Sequence, residues 1–145
     1  MFPEAIELVV VTPERQLLRE SVVEVEIPGA SGYFGVLPGH APLMSELGIG
    51  ELTYRSASAH HVGTLAILQG FVEVEPDRVI VLAETAERAE EIDLARAQAS
   101  KERAEKRLAS GAPDIDWDRA SAALQRALIR IQVATKKRSA LVPGA

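Results

Sequence analysis

The 34 residues from 77 to 110 contain neither glycine nor proline, whereas the 76 residues before them hold eight glycines and six prolines. Long helices need unbroken stretches and short strands need turns between them, so the chain divides into a strand-rich first part and a helical second part. Charge divides near the same place. Residues 1–84 carry 12 acidic and 4 basic side chains, a net of −8, and residues 85–145 carry 9 acidic and 12 basic, a net of +3. With 145 residues, 47% hydrophobic and 26% charged, the composition is that of a folded chain with room for one substantial core, not of a disordered or collagen-like one. The absence of cysteine excludes disulfide frameworks, thiolate metal sites and cysteine nucleophiles. No apolar run reaches the roughly 18 residues of a membrane span, and Pro3-Glu4 does not begin a signal peptide, so any membrane association is expected through a partner.

In the first part, residues 7–11, 21–27, 65–68, 71–75 and 78–82 are short, β-branched and bounded by turn residues, as strands are. Val23, Val25 and Ile27 are expected on one face of their strand, with Glu24 and Glu26 on the other. Pro76-Asp77 is the expected hairpin turn between the last two strands. Closely spaced strands of this kind favour a sandwich or flattened barrel.

In the second part, a helix is expected from about Glu91 to Ala109, with Asp93 as N-cap and a thin, mostly alanine stripe of Leu94, Ala97, Lys101, Ala104 and Leu108. Gly111-Ala112-Pro113 stops it, and Asp114 or Asp116 caps a second helix from about Trp117 to Lys137. That helix has a wider stripe of Trp117, Ala120, Leu124, Ala127, Leu128, Ile131 and Ala134, with Ile115 placed to staple against Ala120. The expected organisation is α+β: an antiparallel β-sandwich over residues 1–85, a two-helix antiparallel hairpin over 86–138 and an unstructured tail over 139–145.

Catalytic chemistry has no visible site. His40, His60 and His61 are too few and too badly spaced to hold a metal. The glycine-rich stretch 32–42 lacks both the dinucleotide fingerprint and the phosphate-loop lysine, and is a shaped loop. Paired carboxylates on a sandwich would suit a carbohydrate-active enzyme, but the acidic residues alternate with apolar ones as a solvent face does. The basic residues are more informative. A hairpin turning near Ala112 sets residues whose numbers sum to roughly 224 opposite each other, so Arg96, Arg103, Arg126 and Arg130 converge on one side, where guanidinium groups suit a polyanion. The plainer reading is a solvated helix face with Glu102 and Glu105 as local partners. An acidic protein surface is the next candidate partner. Nucleic acid is set aside, because the whole chain is acidic and only 4% aromatic.

The run Ser31-Gly32-Tyr33-Phe34-Gly35-Val36-Leu37-Pro38-Gly39-His40-Ala41-Pro42-Leu43, then Gly70-Phe71-Val72-Glu73-Val74 and Glu84-Thr85-Ala86-Glu87-Arg88-Ala89, resembles the F-type ATP synthase epsilon subunit of the bacterial or chloroplast type. The resemblance continues through Ile92-Asp93-Leu94-Ala95-Arg96-Ala97 and Asp116-Trp117-Asp118-Arg119-Ala120, and spans residues 4–138. It implies a non-catalytic rotor subunit at the foot of the central stalk, with the gamma subunit, the c-subunit ring and the alpha/beta catalytic hexamer as partners. Such a subunit is peripheral on the cytoplasmic face of the bacterial inner membrane, or on the thylakoid membrane, and reaches the membrane only through the complex. Gly32, Tyr33, Phe34 and His40 fall in the loop that faces the ring and gamma in this family. Many relatives carry a carboxylate at the position of Tyr33, so apolar contact by Tyr33 or Phe34 replaces a charged one here.

The resemblance also implies that the hairpin regulates ATP hydrolysis, folding against the sandwich or extending into the hexamer, where Arg119, Arg126, Arg130, Lys136 and Lys137 meet acidic residues of a beta subunit. No cofactor is required, but ATP is implied as a regulatory ligand. Ile92, Asp93, Arg96 and Ala97 reproduce the family's nucleotide motif, and Glu87, Arg103, Arg126 and Arg130 occupy positions that line the same site. The alternative is a free-standing ATP-binding sensor module, distinguished by whether the chain co-purifies with gamma.

Overall fold

The computed structural model describes residues 2–58 and 61–140, which form two compact units divided between Glu87 and Arg88. The first is built from six strands: β1 (Ile6–Val11), β2 (Gln16–Gly29), β3 (Gly32–Val36), β4 (Leu43–Ser56), β5 (Val62–Glu75) and β6 (Arg78–Arg88). Their order is β1-β6-β5-β4-β2-β3, and β1 also pairs with β2, so the sheet closes on itself. Closure leaves β3 as an appendage to the upper half of β2, opposite β4. The antiparallel expectation needs one correction: β1 runs parallel to β6, from Glu7↔Arg78 to Val11↔Leu82. That pairing satisfies both edges of β1, which an open sandwich would leave exposed.

The core is aliphatic, with Ile6, Leu8, Val10, Val22, Val25, Ile27, Leu52, Leu65, Ile67, Val72, Val74, Val79 and Val81 all buried. In β2 the expected alternation is broken by a register shift between Val22 and Glu24. Val22 therefore takes the core position beside Val25 and Ile27, while Val23 is only half-buried. The two strands expected over 65–68 and 71–75 are one strand, β5, interrupted at Gln69 and Gly70, which have φ of 65° and 133°. Gly70 is required there: a Cβ would lie 2.1 Å from the Leu82 carbonyl oxygen. Pro76-Asp77 does turn β5 into β6, and Arg78 Nη2 meets Glu75 Oε2 at 3.3 Å beside the turn.

In the second unit a single 3-10 turn, Ala89–Glu91, leads into α1 (Leu94–Ala109) and α2 (Trp117–Ala140). Asp93 caps α1 by accepting the Arg96 N–H at 3.1 Å, and of the two candidate caps for α2 it is Asp116 that accepts the Arg119 N–H, also at 3.1 Å. The helix α2 reaches Ala140, so residues 139 and 140 continue it rather than opening a tail; residues 141–145 lie outside the described residues. Among the helix residues, Ala97, Ala104, Ala120, Ala127, Val133 and Ala134 are buried. The numbers 97 and 127, and 104 and 120, each sum to 224, so the four buried alanines fall where a turn centred on Ala112 sets facing residues. The expected stripe is wrong at two places, since Trp117 is 54% exposed and Leu128 is 43% exposed.

Candidate functional site

The nucleotide motif coincides with the start of α1. Ile92 is buried, and its N–H closes the 3-10 turn on the Ala89 carbonyl at 3.3 Å. Asp93 is the N-cap, and Ala97 is buried in the helix–helix seam. Three of the four motif residues thus have places in the local fold, leaving Arg96 exposed, with no ion pair among the described residues. Ahead of them the Arg88 N–H donates to Glu91 Oε1 at 3.2 Å, and the Arg88 guanidinium lies 3.9 Å from the same oxygen. This pair fixes the 3-10 turn reciprocally.

The remaining arginines occupy different environments. Arg103 is exposed and donates to Ser100 Oγ at 2.9 Å, one helical turn back. Arg126 and Arg130, four residues apart on α2, are both half-buried; Arg126 has no ion pair among the described residues, and Arg130 has a partner within the structure. Of the acids proposed as local partners, Glu105 instead engages Lys101, at 3.7 Å. Glu87 lies on β6, in the first unit, and is half-buried. Arg119 is exposed in the first turn of α2, where with Arg107, Asp114, Asp116, Ile115 and Ala120 it borders a recess of about 380 Å³ at the hairpin tip. Ile115 and Ala120 share that recess as the expected staple would. Lys136 is exposed, and the Lys137 side chain lies outside the described residues.

The stretch expected as one shaped loop is in part a strand: Gly32, Tyr33 and Phe34 lie on β3, whose pairing with β2 the glycine spacing concealed, and of the four contact residues only His40 lies in the loop that follows. Gly39 has φ of 89°, donates its N–H to the Pro76 carbonyl at 2.7 Å, and lies under the Phe2 ring, which a Cβ would strike at 2.3 Å. His40 turns inward on the loop, its Nδ1 lying 2.6 Å from the Ala41 carbonyl oxygen and its N–H donating to Leu37 O at 3.1 Å. Phe34 packs against the core, while Tyr33 remains 53% exposed. Tyr33 Oη accepts the Glu51 N–H at 3.0 Å, an engagement that residue spacing did not reveal.

His61, 3.7 Å from Glu20 and edge-on to Tyr54, is a surface histidine; His60 lies outside the described residues. No cluster able to hold a metal occurs among the described residues, and no helix among them is long and apolar enough to cross a membrane.

One surface was not foreseen. On the outer face of the barrel Val11 pairs with Leu82, and Phe71 pairs with Glu46. Gly70 abuts Leu82 and Ala83, which brings Phe71 beside Leu82. Leu82 and Phe71 are each about half exposed, and Met44, opposite Glu73, is 72% exposed. The signal in the sequence was the excess of apolar residues in strands whose other face already fills the core.

The ATP synthase delta/epsilon chain β-sandwich domain matches residues 5–89, and the long α-helix domain of the same chain matches residues 90–135. The chain is 50% identical over 136 residues to the ATP synthase epsilon chain of Solibacter usitatus, covering 93% of this chain and 99% of that one. It is 51% identical over 134 residues to the epsilon chain of Geobacter sulfurreducens, covering 92% and 96%. Among solved structures, a chain of the Euglena gracilis mitochondrial ATP synthase shares the fold, with a TM-score of 0.69 at 23% identity, covering 98% of this chain and 84% of that one. Both units are matched in order and nearly end to end, and the chain belongs to the ATP synthase delta/epsilon family as an epsilon chain of the F-type complex.

Proposed function

We propose that this chain is a non-catalytic rotor subunit of the central stalk, coupling rotation of the c-subunit ring to ATP synthesis and restraining ATP hydrolysis through its helical hairpin. The observation that carries the regulatory part is the helix–helix seam. Ala97, Ala104, Ala120 and Ala127 allow close approach but contribute one methyl group each, so the folded hairpin is separated from an opened one by a modest gap. A gap of a few kcal/mol is what a ligand or partner can reverse. Opened, the hairpin presents Arg119, Arg126, Arg130, Lys136 and Lys137 to an acidic surface of the catalytic hexamer.

The outer patch of Val11, Leu82, Phe71 and Met44, edged by Glu46 and Glu73, suits a partner that is apolar at its centre and basic at its rim, and the gamma subunit is the proposed occupant. The start of β3, with Gly32, Tyr33 and Phe34, and the following loop with His40 face the ring. ATP is the proposed regulatory ligand of the hairpin, held by Arg96, Arg103, Arg126 and Arg130. By binding the folded state preferentially it keeps the inhibitor closed when ATP is plentiful. The subunit sits on the cytoplasmic face of a bacterial inner membrane through its partners.

Removing residues 89–145 and measuring ATP hydrolysis by the reconstituted complex tests this. Hydrolysis rises when the hairpin is an inhibitor; unchanged hydrolysis at low and high ATP sinks the regulatory reading. Titrating ATP into the isolated chain while following Trp117 fluorescence tests the ligand, and no response at millimolar ATP removes it.

A further inference from the structure

We infer that Tyr33 is a positioning residue whose phenol clasps the β2–β3 hairpin, across β2, onto a bulged segment of β4. The inference goes beyond the proposed function in assigning the clasp, and rests on it only where coupling is the readout. Between Glu26↔Thr53 and Gly29↔Leu47, β2 advances three residues while β4 advances six. The segment Gly48–Leu52 is therefore out of register with β2, and its amides on that side need other acceptors. Tyr33 supplies one. Its hydroxyl accepts the Glu51 N–H at 3.0 Å, from a residue whose own strand pairs with β2 through Pro28↔Tyr33.

Gly50 is the hollow that admits the ring. A Cβ there would stand 2.6 Å from Tyr33 Oη and 2.5 Å from Pro28 Cβ, so any larger residue displaces the phenol or the proline. The hairpin tip is further tied by the Ala30 N–H, which donates to Glu46 O at 2.9 Å. Tyr33 thereby spans three adjacent strands while remaining half exposed, and holds the tip formed by Ala30 and Ser31 in one place. A carboxylate at this position carries no ring to fill the hollow. Preorganising a contact loop reduces the ordering cost of binding.

Tyr33→Phe keeps the ring and removes only the hydroxyl, so it folds. In the isolated full chain, hydrogen exchange followed by NMR should show the Glu51 amide exchanging about tenfold faster in this variant, with the Leu52 amide unchanged. Gly50→Ala, which crowds the ring out with its hydroxyl intact, should accelerate the same amide. In the reconstituted ATP synthase containing this chain, Tyr33→Phe should lower the ratio of protons pumped to ATP hydrolysed while subunit stoichiometry stays constant, a readout that loss of stability alone would not move. An unchanged Glu51 exchange rate in Tyr33→Phe overturns the clasp, and faster exchange with an unchanged pumping ratio overturns the positioning role. Should the complex pump equally well without this chain, the rotor reading fails instead, and the exchange result still decides the clasp.

Discussion

The carboxylate of Asp93 accepts the backbone N–H of Arg96 at 3.1 Å, so the acidic residue of the nucleotide motif is engaged in starting α1. Cap and ligand roles can be separated because asparagine caps about as well as aspartate and alanine does not. Asp93→Ala should destabilise the hairpin by about 1 kcal/mol, measured by amide exchange in α1, whereas Asp93→Asn should leave it unchanged. A loss of ATP response in Asp93→Asn, with stability retained, would assign the charge to the ligand. An equal response in Asp93→Asn and the parent would assign the aspartate to the helix alone.

This double use explains how much of the site was legible. Ile92, Asp93 and Ala97 were found by their pattern, yet a buried closing residue, a cap and a seam alanine are what any helix start of this kind needs. The hairpin itself was readable because caps and heptad-spaced alanines are local signals. Trp117 misled because it occupies the first position of α2 beyond its cap, where no preceding turn of the hairpin covers it, and Leu128 because it is rotated about 100° from Ala127 around the helix. In the barrel β4 was illegible for a different reason. Gly48 and Gly50 interrupt its alternation, and both serve close approach from β2 and β3, a tertiary requirement that leaves no periodic trace. The parallel β1–β6 pairing was equally hidden, since it joins residues some 70 positions apart.

Ala104 and Ala120 are buried at 3% and 4% exposure, and a turn centred on Ala112 sets them opposite each other near the turn end of the seam. Ala104→Leu should overpack it at a cost of about 1–3 kcal/mol, shifting the hairpin toward its open form by roughly tenfold for each 1.4 kcal/mol. The expected result is faster amide exchange along α1 and α2 in the isolated chain. In the complex, ATP hydrolysis should fall below that of the parent and need more ATP for relief; hydrolysis equal to the parent's despite faster exchange would disconnect seam opening from inhibition.

Gly70 combines a φ of 133° with the Leu82 carbonyl at its back. Gly70→Ala adds backbone strain of about 1–3 kcal/mol and a clash that only movement of β6 relieves. For a barrel of this size each kcal/mol lowers Tm by about 4–8 °C, so a Tm drop of about 10 °C is expected by calorimetry, with the helical transition preserved. A drop under about 2 °C would show that the bulge relaxes freely.

The outer row of Val11, Leu82 and Phe71 contributes nothing to the core, so charge there should leave the barrel intact while ending its use as a docking face. Leu82→Arg places a cation among the patch's own acidic neighbours, Glu46 and Glu73, and opposes the basic rim proposed for the partner. Its Tm should stay within a few degrees of the parent's, because surface substitutions are usually worth about 0.5 kcal/mol or less. Affinity for the purified gamma subunit, measured by titration calorimetry, should fall at least tenfold, as expected when an unmatched charge is buried at the centre of an apolar contact. Val62→Arg, equally exposed but at the start of β5, should bind gamma as the parent does. Loss of affinity in both variants would point to a general effect of positive charge rather than to the patch. Retention in both would place the gamma contact elsewhere on the barrel.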